Sequence, residues 1–330
     1  MPLTGYPSGI SSFGIPVLGS GGARYTGWWG VTSWFVDYDN GSDGNGGKEP
    51  TAAYKNLQTA IDSASRGDVI YVRNRDQDIA TTEPEYIIPA STTNWSIPEN
   101  KPHLSIIGAS NVSHIPTQEG KVAVYLRGNA TATTGPVLDI NGAFSLVENL
   151  AFHRGAVTSV GIVRFNGNST SLRALGSVLN NCLFRLYSQA GAAVYNVDNW
   201  FITVYGCEFH DCKVGVQMYG SSSTVRRVRI ANCLFRNQTA ASVDMNIYIH
   251  GSNGQDITID NCTFACNAPA QGTNNLYINI ADAATGVISR CNFPSDTTEG
   301  TVGITNNGLD IIDCHQAIAV INDEAFGKAT

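Results

Sequence analysis

The sequence predicts an all-β solenoid, a single-stranded parallel β-helix whose N-terminal end is capped by one short α-helix. Three observations favour this fold: a cysteine-centred phrase that recurs in the second half of the chain, alternating apolar residues around it, and a composition typical of strands and turns. Of the 330 residues, 34 are Gly, and 14% are charged. A chain of this length exceeds the usual size of one compact core, so two domains or a solenoid are expected.

The recurring phrase predicts the coils of the solenoid. It returns every 23 to 29 residues and centres on Cys182, Cys207, Cys233, Cys262, Cys291 and Cys314. Two residues after a cysteine come Phe184, Phe209, Phe235, Phe264 and Phe293. Stacked supersecondary units turn such positions into internal columns, so we expect a core ladder of buried free thiols beside stacked phenylalanines. Disulfides are the alternative, although the spacing does not favour them.

A second recurring residue marks a bend just before the cysteine position. Asn149, Asn181, Asn232 and Asn261 occupy it, and other coils have Gly206, Arg290 or Asp313 there. Asn tolerates left-handed backbone and bonds to its neighbours, so a stacked turn ladder is expected.

A second alternating strand follows in each coil. It predicts an outward column of Tyr195, Gln217, Tyr248, Tyr277 and Gly303. The three tyrosines fit either contact with sugar rings or burial against another subunit, because Tyr is enriched in interfaces.

The helix and the domain boundaries come from the first 72 residues. Leu57, Ala60, Ile61 and Ala64 share one helical face, and Gly67 ends the helix before the strand Val69–Val72. An amphipathic helix there would plug the open end of a solenoid. We therefore divide the chain into an N-terminal arm (1–30), a first strand, turn and capping helix (31–72) and the β-helix (73–330).

Two stretches carry a resemblance to known families. The run VD…NGSDGN…G…P…Y…LQTAID…GDVIYV within Trp34–Val72, the strand His103–Ala109 and the cysteine coils resemble right-handed β-helix proteins of the pectate-lyase-like superfamily. The opening GISSFGIPVLGSGG is similar to the start of small β-helix proteins of tailed-phage heads. The resemblance implies a right-handed, tailspike-like helix, a homotrimer and a virion location as a capsid decoration protein or head spike.

The arm is predicted to bind a partner. It is rich in Gly, Ser and Pro but also contains Phe13, Ile15, Val17, Trp28 and Trp29. Such a segment cannot build its own core and is too apolar for a plain linker. We expect it to order against the major capsid protein or another virion protein, and a disordered tag is the alternative.

Two acidic groups are candidates for chemistry. Glu208, His210 and Asp211 combine carboxyls with an imidazole, which acid–base catalysis uses, but a solvated strand end is the favoured interpretation. Asp37, Asp39 and Asp43 lie in a Gly-rich turn that could hold calcium, but turn-forming Asp is the favoured interpretation. The sequence lacks the Gly-His-Gly and Arg-Ile-Lys motifs by which β-helix hydrolases resemble one another.

These features favour a non-enzymatic structural protein that touches host surface glycans. The alternative is a carbohydrate-active β-helix enzyme or receptor-binding tailspike. A net charge of −7 argues against a nucleic-acid partner. We expect no cofactor, no membrane span and no signal peptide, because the N-terminal residues lack a basic region and a continuous apolar run.

The trimer prediction depends on the outer face of the cysteine strand. The residues after the cysteine position are predicted to point outward: Ala151, Leu183, Glu208, Leu234, Thr263 and Asn292. The next outward column is basic or titratable at His153, Arg185, His210 and Arg236. Two exposed leucines beside like charges favour burial against another subunit, so Leu183, Leu234, Arg185 and Arg236 are the first interface candidates. Scattered solvated residues are the alternative, and the tyrosine column is the next candidate.

Overall fold

The strands of this protein form three parallel sheets. The computed structural model describes residues 10–12, 15–18, 31–73, 85–88, 94–109, 124–128, 135–153, 161–167, 173–185, 191–210, 212–220, 225–237, 245–251, 254–266, 276–294, 303–316 and 319–321. Sheet I contains β3 (Ser33–Val36), β4 (Val69–Arg73), β7 (Ser105–Ala109), β10 (Leu146–Glu148), β13 (Val178–Asn180), β16 (Thr203–Tyr205), β19 (Arg229–Ala231), β22 (Gly254–Asp260), β25 (Ala284–Ser289) and β28 (Asp310–Ile312).

Sheets II and III take the other two strands of each coil. Sheet II contains β5 (Glu85–Ile87), β8 (Val124–Arg127), β11 (Leu150–His153), β14 (Leu183–Arg185), β17 (Glu208–His210), β20 (Leu234–Asn237), β23 (Thr263–Cys266), β26 (Asn292–Phe293), β29 (Cys314–Gln316) and β30 (Ala319–Ile321). Sheet III contains β6 (Trp95–Ile97), β9 (Leu138–Ile140), β12 (Val163–Phe165), β15 (Ala192–Val197), β18 (Val214–Gly220), β21 (Met245–Gly251), β24 (Leu276–Ile280) and β27 (Ile304–Thr305). Separately, β1 (Ile10–Ser12) pairs antiparallel with β2 (Ile15–Leu18).

The order of the strands confirms the predicted fold class. From β4 onward the chain visits sheets I, II and III in turn, and each strand pairs in parallel with the strand one coil later. This is a single-stranded parallel β-helix, and crossovers between parallel strands of this kind are right-handed. The helix ends differently from a regular coil, because β30 turns back and pairs antiparallel with β29.

A stack of phenylalanine rings fills the interior beside sheet II. Parallel pairing aligns Phe152 with Phe184, and so on along the axis. Successive ring centroids from Phe152 to Phe293 lie 4.7–5.2 Å apart, with planes within 11° of parallel. This distance equals the spacing of about 4.8 Å between neighbouring strands, so each ring packs face to face on the next.

The six cysteines of the repeat form a second internal column. All six are free thiols and are buried. In Cys233, for example, the thiol donates to the carbonyl of Ala231 at 3.3 Å and to that of Val204, one coil earlier, at 3.7 Å. Burial raises the pKa of Cys182 and Cys233, so these thiols stay protonated and unreactive.

The bend between sheets I and II carries the asparagine ladder. Asn149, Asn181, Asn232 and Asn261 have φ between 50° and 56°, the left-handed region that Asn tolerates. The amide of Asn181 donates to the Oδ1 of Asn149, and that of Asn261 donates to Asn232, both at 2.8 Å. The ladder is interrupted at Gly206, so the amide of Asn232 donates to the Tyr205 hydroxyl at 2.6 Å instead.

The predicted capping helix is present as α1 (Leu57–Ser63), but it ends before the predicted Gly67, because Ala64 is already extended at its C-cap. The side chain of Asn56 accepts from the backbone N–H of Gln58 at 2.9 Å and so caps its N-terminus. Leu57, Ala60 and Ile61 are buried in the interior of the first coil. The Lys101 ammonium donates to the carbonyls of Ile61 and Asp62 at 2.6 Å, which satisfies free acceptors at the C-terminal end.

The interrupted ladder yields a stability prediction. Gly206 has φ 60°, and a Cβ there would meet only ordinary contacts, the nearest being the Asn181 nitrogen at 3.9 Å. Gly206→Asn would supply the missing amide between Asn181 and Asn232 and restrict the unfolded chain, so we expect a gain of about 0.5–1.5 kcal/mol in the free energy of unfolding. Urea denaturation measures this gain.

Gly206→Ala is the matched control for that substitution. It restricts the unfolded chain in the same way but brings no amide and dislikes the left-handed conformation, so it should destabilise by about 1 kcal/mol. If both variants shift the urea midpoint equally, the hydrogen-bonded ladder does not stabilise the coils.

Candidate functional site

The outer face of sheet III carries a group of polar and aromatic side chains, which we call the sheet III patch. Strand pairing aligns Tyr195 with Gln217 and Gln217 with Tyr248, one coil apart each time. Two residues further along the strands, Tyr219 aligns with His250. All five residues are half-buried, and they sit on strands of a rigid solenoid rather than on loops.

The rings of the sheet III patch pack mainly on one another. The Tyr248 ring stacks on His250 with centroids 4.1 Å apart, and Tyr219 lies 4.6 Å from His250. Tyr195 stacks on Tyr219 at 6.5 Å. Since ring faces are used within the patch, it offers mostly hydroxyl and imidazole edges to a ligand.

Hydrogen bonding and burial keep the sheet III patch uncharged. The carboxamide nitrogen of Gln217 lies 2.7 Å from the Nε2 of His250 and donates to it. Burial lowers the pKa of His250, which favours the neutral imidazole that this bond requires. Burial also raises the pKa values of Tyr195 and Tyr248, so their phenols stay protonated. Neutral donors and acceptors of this kind suit the hydroxyl groups of a sugar.

An ion pair continues the column of Tyr195 toward the N-terminus. Arg164 aligns with Tyr195 on one side and with Asp139 on the other. The Nε and Nη2 of Arg164 donate to the two oxygens of Asp139, each at 2.8 Å. This bidentate geometry ties two coils together and leaves the Asp139 carboxylate largely occupied.

The structure corrects the predicted position of Tyr277. Met245 aligns with Leu276, so Tyr248 has Asn279 beside it rather than Tyr277. The Tyr277 ring packs against the core rings of Phe264 and Phe293, with centroids 5.8 and 5.9 Å away. The apolar residues on either side of each tyrosine allow two alignments of neighbouring strands, which differ by two residues. The sequence analysis chose the alignment that the structure does not have.

The predicted position of Gly303 in the outward column is wrong for the same reason. Ile278 aligns with Ile304, which places Gly303 beside Tyr277 and outside the column of Tyr195. Tyr219 and His250, which the structure adds to the patch, were missed. The alternation of VQMYG and IYIHG continues two residues past the predicted strands, and that signal could have identified them.

The outer face of sheet II also differs from the prediction. Leu183 is 6% exposed and packs with the fully buried Ala151, whereas Leu234 is half-buried. Leu183 is therefore not an exposed leucine awaiting a partner subunit. The pairing pattern alone could not reveal that other parts of the same chain cover this face.

The positive charges of the column beside these leucines are balanced by a carboxylate. The buried carboxylate of Glu208 contacts the imidazole of His210 and lies 3.6 Å from the Arg236 guanidinium. The predicted repulsion among Arg185, His210 and Arg236 overlooked this carboxylate, because Glu208 was assigned to a different column. Both columns lie on the same face, and neighbouring columns are within reach of long side chains.

The contacts of Glu208 also determine whether the group of Glu208, His210 and Asp211 is suited to acid–base catalysis. The structure brings Glu208 and His210 together, while Asp211 lies outside the described residues. With a histidine and an arginine against it, the Glu208 carboxylate is engaged in an ion-pair network rather than exposed to a substrate. The arrangement is one that joins strands β17 and β20.

The Asp-rich turn is organised by hydrogen bonds within the chain. The Oδ1 of buried Asp37 accepts from the backbone N–H groups of Asp39 and Asn40, and its Oδ2 accepts from Arg73 at 2.8 Å. Burial opposes ionisation of Asp37, but the hydrogen bonds from Arg73 and Asn40 outweigh it and hold its pKa below the usual value.

Asp43 serves a different part of that turn. Its Oδ1 accepts from the backbone N–H groups of Lys55 and Asn56 at 3.2 and 2.8 Å. The candidate calcium ligands therefore have separate structural partners, and an arginine occupies the most buried carboxylate. Within the described parts of the chain, no group of three His, Cys, Asp or Glu side chains is placed to hold a metal ion.

The predicted arm is described only in part. Strands β1 and β2 give the backbone of residues 10–12 and 15–18, which includes Ile15 and Val17. The remaining candidate arm contacts, Phe13, Trp28 and Trp29, lie outside the described residues. Among the helices that the structure describes, none is both long and apolar enough to cross a bilayer.

Comparisons with known proteins return likeness in structure rather than in sequence. No family model matches the chain, and no curated protein matches it. A solved structure of Geobacillus virus E2 ORF18 is similar at 14% identity and a TM-score of 0.43. That alignment covers 79% of this chain and 57% of the phage protein, so the chain spans less than two thirds of its length.

Two carbohydrate-active proteins are similar over longer stretches. The pectin methylesterase of Aspergillus niger is 12% identical with a TM-score of 0.49, covering 90% of this chain and 93% of the esterase. A rhamnogalacturonan lyase is 10% identical with a TM-score of 0.49, covering 86% and 87% of the two chains. The β-helix is assigned here from the strand pairing of the chain itself.

His250 gives the sheet III patch a pH dependence. Its pKa is lowered in the folded state, so the unfolded chain binds the proton more readily. The associated stability is fully present above the unfolded pKa of about 6.5 and is lost as the pH falls below it. We expect urea midpoints to decrease between pH 7.5 and 5.5, and to decrease less in His250→Gln.

His103 controls for a general effect of histidine protonation. Burial and the nearby charge of Arg66 lower its pKa too, so His103→Gln should remove a separate part of the pH dependence. If His250→Gln shows the full dependence of the unmodified protein, the imidazole of His250 is not held neutral by the patch.

Proposed function

We propose that this chain is a non-enzymatic structural protein of a phage virion, a capsid decoration protein or head spike. The observation that carries the proposal is the pairing of outward carboxylates with cations on all three sheets. Asp139 pairs with Arg164 on sheet III, and Glu208 with Arg236 on sheet II. On sheet I, Asp260 accepts from Ser289 at 2.8 Å and from the Nε of Arg290 at 2.9 Å.

Each of these pairs joins one coil to the next. Hydrogen bonds from Arg290 lower the pKa of Asp260, which is the opposite of what a general acid needs near neutral pH. Inverting or retaining glycoside hydrolysis requires two carboxyl groups that both reach the sugar. Carboxylates held by cations of the next coil instead stabilise a rod, which suits a protein that must keep its shape.

The arm at residues 1–30 is the proposed anchor on the particle. Its alternation of Gly, Ser and Pro with large apolar residues fits a segment that orders on a partner surface. The similarity of GISSFGIPVLGSGG to the start of phage head proteins supports the major capsid protein as that partner.

The sheet III patch supports contact with host surface glycans and also the second candidate function. Its neutral phenol, carboxamide and imidazole groups suit sugar hydroxyls, and they lie along one face where an extended polysaccharide could run. A receptor-binding tailspike or carbohydrate-active enzyme would use the same face. What favours binding over cleavage is that Gln217 already occupies the Nε2 of His250, the acceptor a general base would need.

Incorporation into particles tests the proposed function. We expect mass spectrometry to detect the chain in purified virions from the source. Deletion of residues 2–24 should leave the β-helix folded but abolish its incorporation into particles. Absence of the chain from virions, or full occupancy by the truncated protein, would contradict the proposal. Incubation with host polysaccharide provides the control for activity: new reducing or unsaturated ends would favour the enzyme.

We also propose that the chain forms a homotrimer by side-by-side packing. With Leu183 covered by its own chain, Leu234 and Tyr248 represent the two remaining candidate faces. Light scattering should give a trimer at micromolar concentration, and Leu234→Asp and Tyr248→Asp should identify the face, since a buried charge without a partner breaks an interface. A monomeric unmodified protein would contradict the trimer. Loss of the trimer only in Tyr248→Asp would show that the sheet III patch binds another subunit rather than glycans.

A further inference from the structure

Three arginines lie over three aromatic rings along sheet I and the turn that precedes it. The rings are Trp200, Phe201 and Tyr205 in one coil, and the arginines Arg226, Arg227 and Arg229 come from the next coil. Their guanidinium carbons lie 4.7, 5.0 and 5.8 Å from the respective ring centroids. We call these six residues the arginine–aromatic patch. None of them was singled out by the sequence repeats.

The patch exposes apolar surface at a turn that recurs along the helix. The turn position of Phe201, with φ 60°, is occupied in other coils by residues with φ between 51° and 69°: His103, Phe144, Gly176, Arg227 and Asp256. Left-handed backbone is therefore general at this turn and is not specific to Phe201. Phe201 itself is 41% exposed, which leaves apolar surface beside the arginines.

The charge of the patch is distinct from that of the rest of the chain. Arg227 has Asp256 nearby at 3.5 Å, but both side chains are more than 60% exposed, so water screens this pair. Arg229 is exposed above Tyr205, which is itself 39% exposed. The patch is therefore cationic and aromatic on a chain whose net charge is −7. A partner that matches it must be acidic.

The arginines present their charges at two neighbouring exposed positions. Arg227 lies at the turn with φ 51°, and Arg229 begins β19 directly after the buried Val228. A guanidinium stacked on a ring is already oriented, and its N–H edge stays free to bind a carboxylate with two hydrogen bonds.

We propose that the arginine–aromatic patch docks an acidic segment of a partner protein. Arg227 and Arg229 would bind the carboxylates, while Phe201 and Tyr205 would bury apolar area against the residues between them. Trp, Tyr and Arg are the residues that most often dominate protein interfaces. One face of each ring is covered by a guanidinium, which favours a peptide over the flat stacking of a sugar. The proposal is independent of a virion role for the chain.

Binding of a labelled peptide to the full chain tests the proposal. The probe is a short, labelled synthetic peptide of alternating Asp and Thr. Its binding is measured by fluorescence anisotropy at low salt, and a peptide of alternating Asn and Thr is the uncharged control. We expect binding of the Asp–Thr peptide alone. Phe201→Gly should weaken it about tenfold, an amount typical of an interface aromatic, and Arg227→Gln with Arg229→Gln should abolish it.

Two matched variants separate the patch from general effects. Phe144→Gly removes another exposed ring at the same turn position, where φ is 54°, and Arg66→Gln removes an exposed arginine elsewhere. Both should bind the peptide as the unmodified protein does. Phe201→Gly should fold normally, since glycine prefers this conformation, and circular dichroism checks each variant.

Three results would overturn the proposal. The first is no binding of the Asp–Thr peptide to the unmodified chain. The second is equal loss in the patch variants and in their matched controls, which would mean nonspecific charge attraction. The third is binding of polygalacturonate, but not of the peptide, in a manner that requires Arg227 and Arg229, which would make the patch a site for acidic glycans.

Discussion

The in-register stacking of parallel strands is the constraint on which the rest of this structure depends. Each residue has its counterpart about 4.8 Å away in the coils above and below, because the backbone hydrogen bonds allow no other spacing. A side chain must therefore pack against whatever occupies the same position in its neighbours. Inside the helix this favours identical residues: phenylalanine rings stack on phenylalanine, and the amide of Asn181 bonds to that of Asn149.

Outside the helix the same stacking creates the opposite requirement. Identical charged residues one coil apart would repel each other, so an outward column mixes signs, is neutral, or is balanced by the column beside it. Asp139 lies beside Arg164, and their column continues through the uncharged Tyr195 and Gln217. The column of His210 and Arg236 is balanced instead by Glu208 in the column beside it. Outward carboxylates are thereby used to hold coils together. This explains in one physical step why the carboxylates of Asp139, Glu208 and Asp260 lie against cations of the neighbouring coil.

The sequence predicts the structure well where the number of residues between equivalent positions stays constant, and poorly where that number varies from coil to coil. The bend at Asn181 joins sheets I and II directly, so the cysteine phrase located both strands and the buried Phe184 correctly. The strands of sheet III follow segments of variable length, so the register predicted for Tyr277 differs from the observed one by two residues. The burial of Leu183, which packs on Ala151 of the preceding coil, depends on contacts between neighbouring side chains that strand alternation does not encode. Trp200 and Phe201 were missed because the residues at their positions differ in type from coil to coil.

The turn before sheet I follows the same rule on the outer surface. Its left-handed position holds, in successive coils, His103, Phe144, Gly176, Phe201, Arg227 and Asp256. Neighbours in this column contact each other across coils, since His103 stacks on Phe144 and Arg227 lies over the Phe201 ring. Phe201 is nevertheless 41% exposed, so apolar surface stays in water beside the arginines. In a fold whose columns bury side chains against their counterparts, apolar area that stacking leaves exposed is a local sign of contact with another molecule.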